Sequence, residues 1–310
     1  MNKDKKPKMK TKILKKIFRQ DEVKDSTPEG PTVDLSQGTP YGLVDSIKCQ
    51  DVRIPCSDGE KFLKAWLMEP EESVKNEVVI LYSHGVSNTR GAYYRVALYN
   101  LLTKHGFTVL AYDYRGFADS SEEDPTEDTV VEDCKTALEW LRTSMKKRKI
   151  IAWGHSLGAA VTCHAIADEF DDKQDKTGVI GVVLEAPFNN MADELKVAIN
   201  DVNNVLIKNV VKVFSKMGGL SKMTKDYSIA FQSDKWLTHI PCPVLVLAAE
   251  DDERIPISLT TKLVDKARKE GNENLTFHKF EAAGNFGHKH MYKAEQMPTI
   301  FQDFCNSLNL

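Results

Sequence analysis

No apolar run in these 310 residues reaches the 18 or so positions that a bilayer-spanning helix needs. The first residues also lack the pattern of a signal peptide, so the expectation is a soluble chain. The six cysteines, Cys49, Cys56, Cys134, Cys163, Cys242 and Cys305, show no Cys-x-x-Cys spacing. That excludes the usual zinc site and a disulfide framework, and it suits a reducing, cytoplasmic setting with each cysteine as a small core residue. Charge of one sign is lacking too: 42 basic against 45 acidic side chains leave a net charge of -3. Nothing global therefore argues for nucleic acid as a partner, no internal repeat is found, and no cofactor or metal is expected.

What charge asymmetry there is lies at the start. Residues 1–20 carry eight lysines and Arg19 against the single acid Asp4, with Ile13, Leu14, Ile17 and Phe18 at helical spacing. A basic amphipathic segment of this kind is suited to an anionic membrane surface, which makes peripheral membrane contact an expectation, beside the plainer reading of a solubilising tail. Residues 21–45, rich in acids, proline, glycine, serine and threonine, read as a lead-in. The division expected is a tail and linker over 1–45 and one domain over 46–310.

Within 46–310 short apolar runs alternate with helical patterns. Strands are expected at Lys61–Leu67, Val78–Tyr82, Phe107–Tyr112, Ile150–Trp153, Val179–Leu184, Val244–Ala248 and Leu275–Phe280. Helices are expected between them at Tyr93–His105, Thr129–Met145, Gly158–Phe170 and Leu259–Lys269, and after them at Met297–Leu308. Buried strands separated by helices mean an α/β fold, a mostly parallel sheet covered on both faces. Residues 189–235 break the rhythm, with Leu195, Ile199, Val202, Leu206, Val210, Phe214 and Met217 at three- and four-residue steps. They read as an inserted helical lid over a slot for an acyl chain, against the alternative of a helix packed on the core.

Chemistry enters at Gly154-His155-Ser156-Leu157-Gly158, which joins a strand pattern to a helix pattern. A serine on so sharp a turn is held exposed to a base, and the flanking glycines let two backbones approach. The companions such a nucleophile needs follow in the order serine, acid, histidine. The run Val78–Tyr82 empties into Ser83-His84-Gly85-Val86, whose amides, with that of Leu157, are the expected oxyanion donors, Val86 and Leu157. The run after Pro243 empties into Glu250-Asp251-Asp252-Glu253, where Asp251 or Asp252 can orient an imidazole. The loop after Leu275–Phe280 offers two histidines, His288 and His290, and the pattern of residues leaves both open. Arg90, five residues past Gly85, is a candidate substrate contact through its guanidinium, with a structural salt bridge as the alternative.

Taken together these motifs resemble the α/β-hydrolase superfamily, and within it the abhydrolase domain-containing protein 12 family of monoacylglycerol and lysophosphatidylserine lipases. The carriers are His84-Gly85, Thr89-Arg90-Gly91, Tyr94-Arg95-Val96, Asp113-Tyr114-Arg115-Gly116, the elbow from Trp153 to Gly158, Glu185-Ala186-Pro187-Phe188, Ala249-Glu250-Asp251-Asp252 and His290-Met291-Tyr292-Lys293. The resemblance covers roughly residues 45–308. It implies a catalytic triad of Ser156, Asp252 and His290, the acid from the Asp-x-x-Ile-Pro pattern and the histidine from its place before a Tyr-Lys pair. It implies a serine esterase or lipase acting on a lysophospholipid, monoacylglycerol or other small ester. The rivals are a thioesterase or peptidase of the same fold, and a non-catalytic ligand-binding or scaffold protein. The chain departs from the family in lacking its N-terminal transmembrane helix, and in Val86-Ser87-Asn88 and Ala118 where other residues are usual.

Overall fold

The structure is a computed structural model that describes residues 42–146, 149–173, 177–200 and 219–308. The basic segment 1–20 and the centre of the 189–235 insertion lie outside the described residues. Eight strands form one sheet in the order β1-β2-β4-β3-β5-β6-β7-β8. They span Lys48–Pro55 (β1), Phe62–Glu69 (β2), Val79–Ser83 (β3), Thr108–Asp113 (β4), Ile150–His155 (β5), Val179–Glu185 (β6), Val244–Ala249 (β7) and Leu275–Phe280 (β8). β1 and β2 are antiparallel to their neighbours, and from β4 to β8 every pairing is parallel.

The inner parallel strands are largely apolar runs because both of their faces are covered, while the edge strand β8 carries Thr276, His278 and Lys279 and is partly exposed. In β5, Ile150 and Ala152 join one core cluster, and Ile151 and Trp153 join the other. The first cluster is completed by the helices Glu127–Thr143, Leu157–Lys173 and Ile257–Lys269, the second by Tyr93–Lys104 and Met297–Ser307. These are called α1 (Tyr93–Lys104), α2 (Glu127–Thr143), α3 (Leu157–Lys173), α4 (Met191–Asn200), α5 (Gly219–Asp226), α6 (Ser233–Trp236), α7 (Ile257–Lys269) and α8 (Met297–Ser307). Thr126 opens α2 with a capping box, its hydroxyl accepting from Thr129 N and the Thr129 hydroxyl accepting from Thr126 N.

The described parts of the insertion between β6 and β7 hold the helices α4, α5 and α6, and its two ends are fastened together. Met191 N donates to Ala230 O at 3.0 Å, and Asp234 N to Asn189 O at 3.0 Å. Phe231 N donates to a carboxylate oxygen of Glu127 at 2.8 Å, which anchors the return segment to α2. Leu195, near the start of the insertion, packs on the first core cluster. At the other end of the chain the last residues read as lead-in, 42–45, are attached to the domain. Asn100 donates to Gly42 O at 2.8 Å and accepts from Val44 N at 3.1 Å.

Parallel pairing puts the carboxyl ends of β3, β5, β6, β7 and β8 along one edge, where Ser83 stands beside Gly154, His155 beside Glu185, and Ala249 beside Phe280. Loops leaving these ends meet there, as the general rule for open α/β sheets requires.

Candidate active site

Ser156 occupies the turn between β5 and α3 with φ at 57°, a left-handed conformation that a side chain rarely adopts. Its amide donates to Glu185 O at 2.8 Å, and its carbonyl accepts from Ala159 N at 3.0 Å, so the strained turn is pinned on both sides. Gly154 and Gly158 are there because the backbones nearly touch. A Cβ at Gly154 would stand 2.3 Å from Gly158 O, and one at Gly158 would stand 2.0 Å from Ser83 O. Gly85 faces the serine itself, since a Cβ there would approach Ser156 Cβ at 3.2 Å.

The amides of Val86 and Leu157 flank this turn, one on the loop after β3 and one at the first position of α3. Among the described residues neither donates to a protein acceptor outside the regular elements. The loop that presents Val86 is held from behind by Arg95, a fully buried guanidinium on α1 that donates to the carbonyls of Gly85 at 3.2 Å, Ser87 at 2.7 Å and Thr89. Tyr114 donates to His84 O at 3.0 Å from the other side. The shaping role of Arg95 escapes a reading of the sequence, whose signals are the motif Tyr94-Arg95-Val96 and an arginine set among Tyr94, Val96, Leu98 and Tyr99 on a buried helix face.

Asp252 lies just past β7 and is 5% exposed. Its Oδ1 accepts from Arg254 N and Ile255 N, both at 2.8 Å, which aims Oδ2 outward. That oxygen meets Nδ1 of His288 at 2.7 Å. Asp251, the alternative acid, accepts from Gly287 N at 2.9 Å and so holds the histidine loop instead.

The assignment of His290 needs correction on this geometry. His290 Nε2 lies 2.6 Å from the Tyr93 hydroxyl, and it is His288 that reaches Asp252. The cause is the path of the loop. A single 3-10 turn at Ala282–Gly284, then Asn285 at φ 51° and Gly287 at φ 52°, brings residue 288 over the strand ends, while fully buried Met291 turns residue 290 toward α1. His288 is further tied to the elbow, because His155 Nε2 donates to His288 O at 2.8 Å and the two rings lie 4.9 Å apart. Burial, followed by the charges of His288 and Arg95, drives the His155 imidazole well below its ordinary range, so it is neutral and keeps the proton this bond requires.

Arg90 is also corrected. It is fully buried, and its guanidinium is shared between Asp113 and Asp119, at 2.6 Å from Asp119 Oδ1, with Arg90 N donating to Asp113 at 2.8 Å. Burial alone would raise the Asp113 carboxyl, but Arg90 and His84 beside it hold it down at about 2. No head group can reach that guanidinium. Glu185, at the end of β6, is a buried acid that the sequence offered as part of Glu185-Ala186-Pro187-Phe188 but without a role. Burial pushes its carboxyl up to about 7, against the Trp153 indole that donates to it at 3.0 Å, with the Asp252 charge adding to the rise.

A strained serine turn at the strand ends, with an aspartate–histidine pair on the next loops, defines an α/β-hydrolase. The chain belongs to the family whose model is described as "Serine aminopeptidase, S33" and matches residues 74–237. It is 34% identical over 236 residues to lysophosphatidylserine lipase ABHD12 of Danio rerio, a match covering 74% of this chain and 58% of that protein. Against the Mus musculus protein of the same name the identity is 32% over 234 residues, 74% of this chain and 56% of that one. The chain thus spans a little over half the length of these relatives. An α/β-hydrolase from Vibrio vulnificus superposes with a TM-score of 0.70 at 19% identity, covering 97% of this chain and 93% of its own. An esterase from Pyrococcus furiosus gives 0.64 at 18% identity, covering 86% and 92%. Among the described residues no helix is long and apolar enough to cross a membrane.

Proposed function

We propose that this chain is a serine hydrolase that cleaves carboxylic esters through an acyl-enzyme, with a lysophospholipid or monoacylglycerol as substrate. The observation that carries the reading is the Asp252–His288 bond of 2.7 Å on loops adjoining a serine held at φ 57°. With Nδ1–H committed to Asp252, the free Nε2 of His288 is the base. It takes the proton of Ser156 Oγ as that oxygen attacks the ester carbonyl. The amides of Val86 and Leu157 receive the negative charge on the carbonyl oxygen, a contribution of about 3 to 4 kcal/mol for each such donor. The proton then passes from Nε2 to the departing alcohol, and water, deprotonated by the same nitrogen, releases the acid.

The names of the relatives support a lipid ester over other acyl compounds. We further propose that the described part of the insertion belongs to a lid over the acyl chain, that residues 1–20 give peripheral contact with anionic membranes, and that the protein works in the cytoplasm. Its six free cysteines fit that reducing setting. The test is a panel of esters with purified protein, comprising lysophosphatidylserine, monoacylglycerols, a thioester and a peptide amide. Preferred turnover of the lipid esters is the expected result, and preference for the amide or thioester would move the assignment within the same chemistry.

A further inference from the structure

We propose that His155 is a positioning residue for the base: its Nε2–H grips the main chain of His288 and fixes the place of that imidazole relative to Ser156. The inference deepens the ester-hydrolase reading above and rests on it, because a clamp on residue 288 matters to the chemistry only where His288 is the base.

The 2.7 Å bond to Asp252 holds one ring nitrogen of His288 and leaves its backbone to the loop. That loop passes through two left-handed residues, Asn285 and Gly287, and a Cβ at Gly287 would meet nothing within 4 Å. Little packing holds the chain there. Two hydrogen bonds from outside the loop do so instead, one just before residue 288 and one at its own carbonyl. Asp251 accepts from Gly287 N at 2.9 Å, and His155 Nε2 donates to His288 O at 2.8 Å. The second bond starts from the last residue of β5, next in the chain to Ser156, so nucleophile and base are referred to one rigid point.

The other ring nitrogen of His155 shows that the imidazole is not there for packing. The ring is buried and neutral, so with the proton on Nε2 its Nδ1 bears only a lone pair. Among the described residues that nitrogen is buried without a hydrogen-bond partner, close to Gly85, where an added Cβ would stand 3.1 Å from it. A buried polar atom left unpaired costs stability, and an apolar side chain of similar size would avoid that cost. The bond to His288 O is what the imidazole supplies and a leucine does not.

The test measures kcat, KM and melting temperature for the purified full chain and its His155→Leu, His155→Gln and His155→Asn variants on a short, soluble ester. Moving a reacting group by about 1 Å costs roughly a hundredfold, so His155→Leu is expected to lower kcat about ten- to a hundredfold with KM and melting temperature little changed. Glutamine carries an amide nitrogen at the reach of Nε2 and should restore most of kcat. Asparagine, a methylene shorter, should not. In His288→Ala the clamp has no base to place, so adding His155→Leu should change the residual labelling of Ser156 by an uncharged fluorophosphonate less than about twofold. Unchanged kcat in His155→Leu, glutamine no better than leucine, or a loss that persists undiminished in His288→Ala overturns the clamp and leaves the hydrolase reading standing. If the leucine variant does not fold, glutamine against asparagine decides, and equal rates in the two overturn the clamp. Folded wild-type protein that neither turns over the ester nor takes the label overturns both readings.

Discussion

Ser156 carries two demands at once, a hydroxyl to act as nucleophile and a left-handed backbone, and they can be separated by substitution. Ser156→Ala and Ser156→Gly should both abolish turnover. The glycine variant should be about 1 kcal/mol more stable in thermal or urea unfolding, because a Cβ at φ 57° is strained and glycine is not. Arg90→Gln should cost about 3 to 5 kcal/mol, since it strands the buried Asp113 carboxylate without its partner. Glu185 gives a pH signature. Its folded-state carboxyl is up at about 7 against an ordinary 4.5, so the unfolded chain releases the proton first as pH rises. Stability is therefore lost between about pH 4.5 and 7, by up to about 3 kcal/mol, and Glu185→Gln should remove that loss. The stability of the variant relative to wild type, followed by urea unfolding from pH 4.5 to 8, should rise with pH. A flat difference would mean that the fold leaves the Glu185 carboxyl in its ordinary range. Residue identity was legible unevenly. The glycines around Ser156 announce a close approach, but whether residue 288 or 290 meets Asp252 depends on two left-handed residues and one buried methionine, which no spacing rule encodes.

At the scale of elements, the parallel strands and the helices between them could be read to within a few residues because burial on both faces forces continuous apolar runs. β1 could not. Its sequence, Lys-Cys-Gln-Asp-Val-Arg-Ile-Pro, is mostly exposed at the sheet edge, so little core pressure marks it as a strand. The helical character of the insertion was legible from its period, yet the same period serves a lid and a helix on the core, so the period alone does not separate them. The elbow and β3 lie in close backbone contact. Gly158→Ala sets a methyl 2.0 Å from Ser83 O, which neither backbone can relieve without moving β3 or α3. A fall in melting temperature of several degrees together with loss of ester turnover is expected, and full activity in this variant would show that the turn is looser than the structure has it.

For the whole molecule, the sheet is a platform and the chemistry sits on loops at one edge, with a basic segment at the far N-terminus. Deleting residues 1–20 should weaken binding to anionic vesicles at low salt with little effect on a short, soluble ester, since every motif of the site lies from Ser83 onward. Equal vesicle binding by both forms would remove the membrane role of that segment. The central claim, that Ser156 is activated by His288 and Asp252, is tested most directly by labelling with an uncharged fluorophosphonate and mapping the modified peptide. The account requires the label on Ser156, slowed at least about a thousandfold in His288→Ala and less than about tenfold in His290→Ala. A label absent from Ser156, or lost in His290→Ala and retained in His288→Ala, would contradict it.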